Sequence, residues 1–443
     1  MKQAKKLFGI VVMIIASMTV LAGCASAQQS GGSTSAPSTT TIAGNVSTAA
    51  DLVRALGGRA TVNGNTVTLT GDVGIEGRLV VPEGVTLDIT ADSARLVLLD
   101  GATLTVNGTV NARGGWGNSG SGGSLNIEDG AAVINGSGTI NLKSQGNLLN
   151  IWGGGNGRRL TLEGVTLVGI ADNSESLVDV NNGGEFIMKN GVITGNTRVG
   201  GDGGGIGVWQ ATFTMEGGTI SGNTANGGGG VGVDRSAFIM TGGTISANTA
   251  DSSGGGVKVG DGTFTMTDGT ITGNTTTSNT NANSGGVRVE RSATFIMEGG
   301  TISGNTAIAG ENYGGNAGGV GLGSGSTFIM RGGVISGNTA TSRSNRGEGG
   351  GVQVNESVFI MEGGTIYGSA DRLPAGTDTS LANNSQSRVA LRLWRSSAKW
   401  GTGGTYTMGG VSQTGGSDML LLSRSPDGEV SGTNDTLIAI PPR

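Results

Sequence analysis

An all-β fold is predicted for this chain: a right-handed parallel β-helix of three-strand solenoid coils, with a short N-terminal capping helix. Three features of the sequence predict it. The first is a recurring aromatic position: seven of the eight phenylalanines, Phe186, Phe213, Phe238, Phe264, Phe295, Phe328 and Phe359, return every 25 to 33 residues. The second is what travels with each of them. Methionine follows two residues later, from Met188 to Met361, and isoleucine seven later, from Ile193 to Ile366. The third is composition. Gly is 90 of 443 residues while Pro is 6 and charged residues are 13%. That is too apolar and too weakly charged for a disordered chain, and it suits many short strands joined by tight turns.

Each unit carries two further signals. Apolar residues alternate in a segment seven or eight residues before the Phe, as in Val231-x-Val233 and Val257-x-Val259, which is the strand period of two. Asparagine stands three residues after the Ile at Asn196, Asn223, Asn248, Asn274, Asn305 and Asn338, with Ser369 in the seventh unit. No single unit can bury its own apolar face, but a stack can, because like residues then cover like. Successive asparagines would lie about 4.8 Å apart, one strand spacing, and their amides could bond along the stack as a ladder at an inner corner. Glycine pairs such as Gly217-Gly218 and Gly299-Gly300 supply the corners.

The remaining elements follow in chain order. Lys2, Lys5 and Lys6 precede an apolar run, Leu7 to Val20, that ends in Leu21-Ala22-Gly23-Cys24. The run is too short for an ordinary membrane span. The segment resembles the bacterial lipoprotein signal, and the resemblance implies a signal peptide over 1–23 and lipidation of Cys24, the single cysteine. Ala25 in place of Asp implies sorting to the outer membrane. Residues 24–47 are rich in Ser, Thr and Gly and read as a flexible tether. Residues 48–443 then form one β-helix domain. It opens with a cap helix over 48–56, where Thr48 and Asp51 resemble a capping box. Degenerate coils occupy 60–180, regular repeats 181–369 and irregular coils 370–443.

The three-segment coil resembles the pectate-lyase-like right-handed β-helix. The unit FTMEGGTISGNTA at 213–225 is similar to repeats of polymorphic outer-membrane proteins and other surface adhesins. The resemblance implies either surface binding or, as in many pectate-lyase-like proteins, a polysaccharide lyase or hydrolase with substrate lying along one sheet.

The residues bound the chemistry. The chain has no His, which removes the commonest general base and the usual zinc ligand. A net charge of −5 without basic runs argues against nucleic acid. No cofactor or metal is expected. Two surfaces are candidate binding sites. One is the outward side of the Val-x-Val strands, bearing Trp209, Asp234, Lys258, Arg288 and Glu290. The other is a ridge of long loops at 275–286, 306–319 and 339–351, bearing Tyr313, Arg343 and Arg346. Each has a plainer reading, as a solvated strand face and as unconstrained loops. The expected protein is a monomeric, lipid-anchored envelope or surface protein, a binding, adhesion or structural scaffold whose partners are the membrane through Cys24 and a glycan or a host or matrix protein. The alternative is the lyase or hydrolase.

Overall fold

The structure is a computed structural model. It describes residues 46–115, 123–154, 157–279, 283–310, 317–342 and 349–367, together with the strand backbone of 38–41, 384–385, 389–394, 397–400, 405–408, 411–414 and 420–422. Cys24 and the segment before it, Tyr313, Arg343 and Arg346 lie outside the described residues. Among the described residues no helix is long and apolar enough to cross a membrane.

The chain winds into a parallel β-solenoid. Successive coils contribute one strand each to a 13-stranded sheet that carries the Phe column, a 15-stranded sheet that carries the Ile column, and a nine-stranded sheet built from the Val segments. These are called below the aromatic, threonine and valine sheets. Like pairs with like: Phe213 is in register with Phe238, Met215 with Met240 and Ile220 with Ile245. All seven rings are fully buried. Adjacent rings stack with centroids 4.5 to 5.4 Å apart. Period-two alternation sends these side chains into one continuous core and sends their neighbours outward.

The open ends of such a stack would expose unpaired strand edges. At the first coil the hairpin of Ala60–Asn63 and Thr66–Leu69 pairs antiparallel. The helix Ala49–Ala55 brings Leu52 and Leu56 into the core beside it. A reciprocal capping box starts the helix: the Asp51 N–H donates to the Thr48 hydroxyl, and the Thr48 N–H donates to the Asp51 carboxylate. At the far end the strands again turn antiparallel, Thr405–Met408 with Val411–Thr414 and Ser397–Trp400 with Leu420–Leu422.

The structure departs from the three-strand reading in the middle coils, which have a fourth short strand. Thr224–Gly227, Thr249–Ser253, Thr275–Ser278, Thr306–Ala309 and Thr339–Ser342 pair in parallel just after the Asn corner. The inward residues there are small (Ala225, Ala250, Thr276, Ala307 and Ala340, all fully buried), so hydrophobic alternation is muted in the sequence. Each of the three long loops therefore begins as strand. Part of the segment read as a tether is also strand: Ser38–Thr41 pairs with Val73–Glu76, as a run rich in β-branched Thr allows.

Glycine is required where coils touch. Gly300 has φ +80°, and a Cβ there would come within 2.7 Å of the Gly269 carbonyl oxygen of the previous coil. Gly255 would press a Cβ against the carbonyl oxygens of Gly285 and Thr275, at 2.5 and 2.6 Å. Side chains at such points would force neighbouring turns apart.

Candidate functional site

The asparagines occupy a fully buried corner between the threonine sheet and the short fourth strands. Side-chain amides donate along the stack: Asn223 to Asn248 at 3.1 Å, Asn248 to Asn274 at 3.0 Å, Asn274 to Asn305 at 2.9 Å and Asn305 to Asn338 at 3.0 Å. Each of these acceptor oxygens also takes the backbone N–H of the asparagine that donates to it. Asn196 joins the series through its backbone N–H, which donates to Asn223 Oδ1 at 3.2 Å. Asn173 extends it one coil further, donating to Asn196 Oδ1 at 3.0 Å. The repeat spacing misses Asn173 because it stands six residues after Leu167, the residue in register with Ile193, where the later coils place asparagine three residues after the isoleucine.

The outward side of the valine sheet is where side chains of differing chemistry meet. Register sets two columns along it. One runs Asn150, Asp179, Gly207, Gly232, Lys258 and Arg288. The other runs Trp152, Asn181, Trp209, Asp234, Gly260 and Glu290. Of the residues singled out from the sequence, Trp209, Asp234, Lys258, Arg288 and Glu290 all lie here. Trp152, Asn181, Asp179 and Asn150 do not stand out in the repeat pattern. Their signal is the series LNIW, VDVN, IGVW and VGVD, which aligns only once Leu160 is equated with Phe186.

In the charged half Lys258, Arg288 and Glu290 are largely covered, while Asp202, Asp234, Asp261 and Arg291 stay open to solvent. Arg288 is only 8% exposed. The Lys258 ammonium lies 2.8 Å from Asp202 Oδ2 and 3.5 Å from Glu290 Oε1, and Arg288 Nε lies 3.2 Å from Glu290 Oε2. Burial pulls the Arg288 guanidinium below its ordinary value, and Glu290 opposes the shift. Arg291 bridges Asp234 and Asp261 at 3.3 and 3.6 Å. Asp202 reaches Lys258 because the turn before Ile206 folds over this side of the sheet; a Cβ on Gly227 would meet both Asp202 Oδ1 and the Lys258 stem. Each cation of this cluster is engaged by carboxylate.

The other half is amphipathic. Trp152 and Trp209 occupy one column two strands apart, about 9.6 Å along the axis at the usual strand spacing. Between them Asn181 is 2% exposed. Its amide nitrogen donates to Asp179 Oδ2 at 2.5 Å, while its Oδ1 has no protein partner among the described residues. The Trp152 Nε1 is likewise buried without one, and the Arg158 guanidinium lies 6.0 Å from the Trp152 ring centroid. Trp209 is 37% exposed. Desolvation pushes the Asp179 carboxyl up to about 6, against the Asn181 hydrogen bond and the charge of Arg198, which lower it, and with Glu175, which raises it.

Asp179 gives a pH signature. Its folded pKa lies above the unfolded value near 3.9, so the native state binds the proton more tightly. The stabilisation from the neutral carboxyl is complete below about pH 4 and is lost as pH rises through about 6. In denaturant melts, native Asp179 is expected to lose about 2 kcal/mol relative to Asp179→Asn between about pH 4 and pH 7. A difference that stays flat with pH would rule out a buried proton at this position.

Beside this face a shallow groove of about 530 Å³ crosses three coils, lined by residues including Gln210, Arg235 and Asp261. These three have φ of +50°, +50° and +51°, as one column of non-glycine left-handed turn residues. Among the described residues no group of three or more His, Cys, Asp or Glu side chains is placed to hold a metal ion. Comparison with protein-family models, curated proteins and solved structures finds no match.

Proposed function

We propose that this protein is a lipid-anchored component of the cell envelope whose solenoid binds a glycan along the valine sheet, as an adhesion or scaffold module. The observation that carries the binding site is the pair Trp152 and Trp209 in one column, with the orphaned oxygen of Asn181 between them. Indoles offer flat apolar faces to sugar rings, and a buried amide oxygen without a partner favours a hydroxyl donor. Ion pairing of Lys258 and Arg288 favours binding over a lyase reaction that needs a free base. The anchor rests on the Leu-Ala-Gly-Cys24 signal.

The test is a glycan and matrix-protein array probed with the purified full chain. Trp152→Ala combined with Trp209→Ala is expected to weaken the retained ligand about tenfold, the loss of two aromatic contacts of roughly 0.5–1.5 kcal/mol each. Retention of no glycan, or equal retention by the variant, overturns the reading. Incorporation of labelled fatty acid that is lost in Cys24→Ser tests the anchor separately.

A second reading, lyase or hydrolase activity, is favoured by Asp179, a half-buried carboxyl with a pKa pushed up to about 6, in the range that suits a general acid. Release of reducing or unsaturated sugars that ceases in Asp179→Asn would establish it.

A further inference from the structure

The outward face of the threonine sheet is a two-dimensional array of hydroxyls. Its first outward position is threonine on every strand from Thr66 to Thr365 except at Val192 and Val334. Two residues on, the second outward position runs Thr194, Ser221, Ser246, Thr272 and Ser303. These pairings continue without a register shift. The array therefore repeats about every 4.8 Å across the strands and about 6.6 Å along them.

Charge is missing from this face. From Thr109–Ala112 to Val334–Ser336 no strand of the sheet contains Asp, Glu, Lys or Arg. The neighbouring aromatic sheet shows the ordinary alternative. Its outward edge carries Lys189 paired with Glu163, and Arg331 paired with Glu298 and Glu362. Solvated sheets commonly carry such charges for solubility.

The occupant can be argued from what the array provides and lacks. A protein partner would be anchored by Trp, Tyr or Arg, and these strands hold none over that span. A sugar chain would need an aromatic platform, and it would follow one row, whereas this array repeats in two directions. A surface that repeats in two directions suits a crystal. Each Thr offers a methyl beside a hydroxyl, and branching at Cβ stiffens χ1, so the array is ordered before anything binds. Its repeats are of the order of the oxygen repeats on faces of hexagonal ice.

We infer that the threonine sheet binds crystalline water: its methyl and hydroxyl ranks order a water layer that merges with an ice surface. The site is independent of the glycan reading of the valine sheet.

The purified full chain is to be assayed for inhibition of ice recrystallisation, and a fluorescently labelled sample for incorporation into a growing single ice crystal. Inhibition and incorporation are both expected. The double variant Thr244→Lys with Thr270→Lys places two ammonium groups mid-array and is expected to need about tenfold more protein, as several contacts are lost together. Thr214→Lys, outward on the aromatic sheet, is expected to match the parent, with circular dichroism confirming β-structure in all three. A folded parent chain that neither slows recrystallisation nor enters ice overturns the inference, whatever the variants do. So does an array variant as active as the parent. Retention on crystalline chitin or cellulose that the double variant loses, without any effect on ice, would reassign the face to a polysaccharide crystal.

Discussion

Phe264→Ala is expected to destabilise the solenoid by about 4 kcal/mol, within the 3–5 kcal/mol typical of emptying a fully buried phenylalanine site. Phe264 is fully buried and stacks on Phe238 at 4.5 Å and on Phe295 at 4.6 Å. Collapse into the vacancy is opposed by the strand spacing, which hydrogen bonds fix on both sides. The variant therefore loses two ring contacts and retains the cavity. A urea titration followed by far-ultraviolet circular dichroism measures the effect as a shift in midpoint. Phe186→Ala provides the comparison. One of its neighbours in register is Leu160 and its ring contact with Phe213 is longer, 5.4 Å, so its loss is expected to be smaller. Equal losses at the two positions would argue that ring stacking adds nothing beyond apolar burial.

That prediction rests on the part of the fold most legible in the sequence. Phe, Met and Ile differ enough from their Gly, Thr and Ser neighbours that like-over-like stacking shows as a bare spacing, and the parallel solenoid follows from it. The fourth strand does not show, because Ala225, Ala250 and Ala307 bury little apolar surface and Thr is common at outward and turn positions alike. The first coils are harder to align because Leu and Val take the place of Phe, and any branched aliphatic residue fits a coil that lacks a ring to match. This hides the candidate site more than the fold. Trp152, Asp179 and Asn181 belong to those early coils, and only register shows that they share a face with Trp209. The buried state of Arg288 is illegible for another reason. It depends on a partner two residues away, Glu290, and on packing against the next coil, where a Cβ on Gly323 would lie 2.3 Å from its guanidinium.

Asn248→Ala tests the polar counterpart of the Phe column, and its expected cost is about 3 kcal/mol. The Asn248 oxygen accepts from both the backbone N–H and the side-chain amide of Asn223, at 3.0 and 3.1 Å. Its nitrogen donates to the carbonyl of Ile220 and to Asn274 Oδ1, at 2.9 and 3.0 Å. The Asn223 amide keeps bonds to Ile193 and Ser221 when Asn248 is shortened, but its backbone N–H keeps none of those shown. An orphaned buried donor costs about 1–3 kcal/mol, and the vacated volume adds to it. Asn248→Asp separates the two contributions. It restores the acceptor and the volume but places a carboxyl where exposure is 0%. Burial would raise the pKa of that carboxyl, so the aspartate variant should be more stable in acid and lose stability as pH rises, while the alanine variant should show no such added dependence. Matching pH profiles for the two variants would mean that water reaches this corner, and the asparagines would then be surface decoration rather than the polar half of the core.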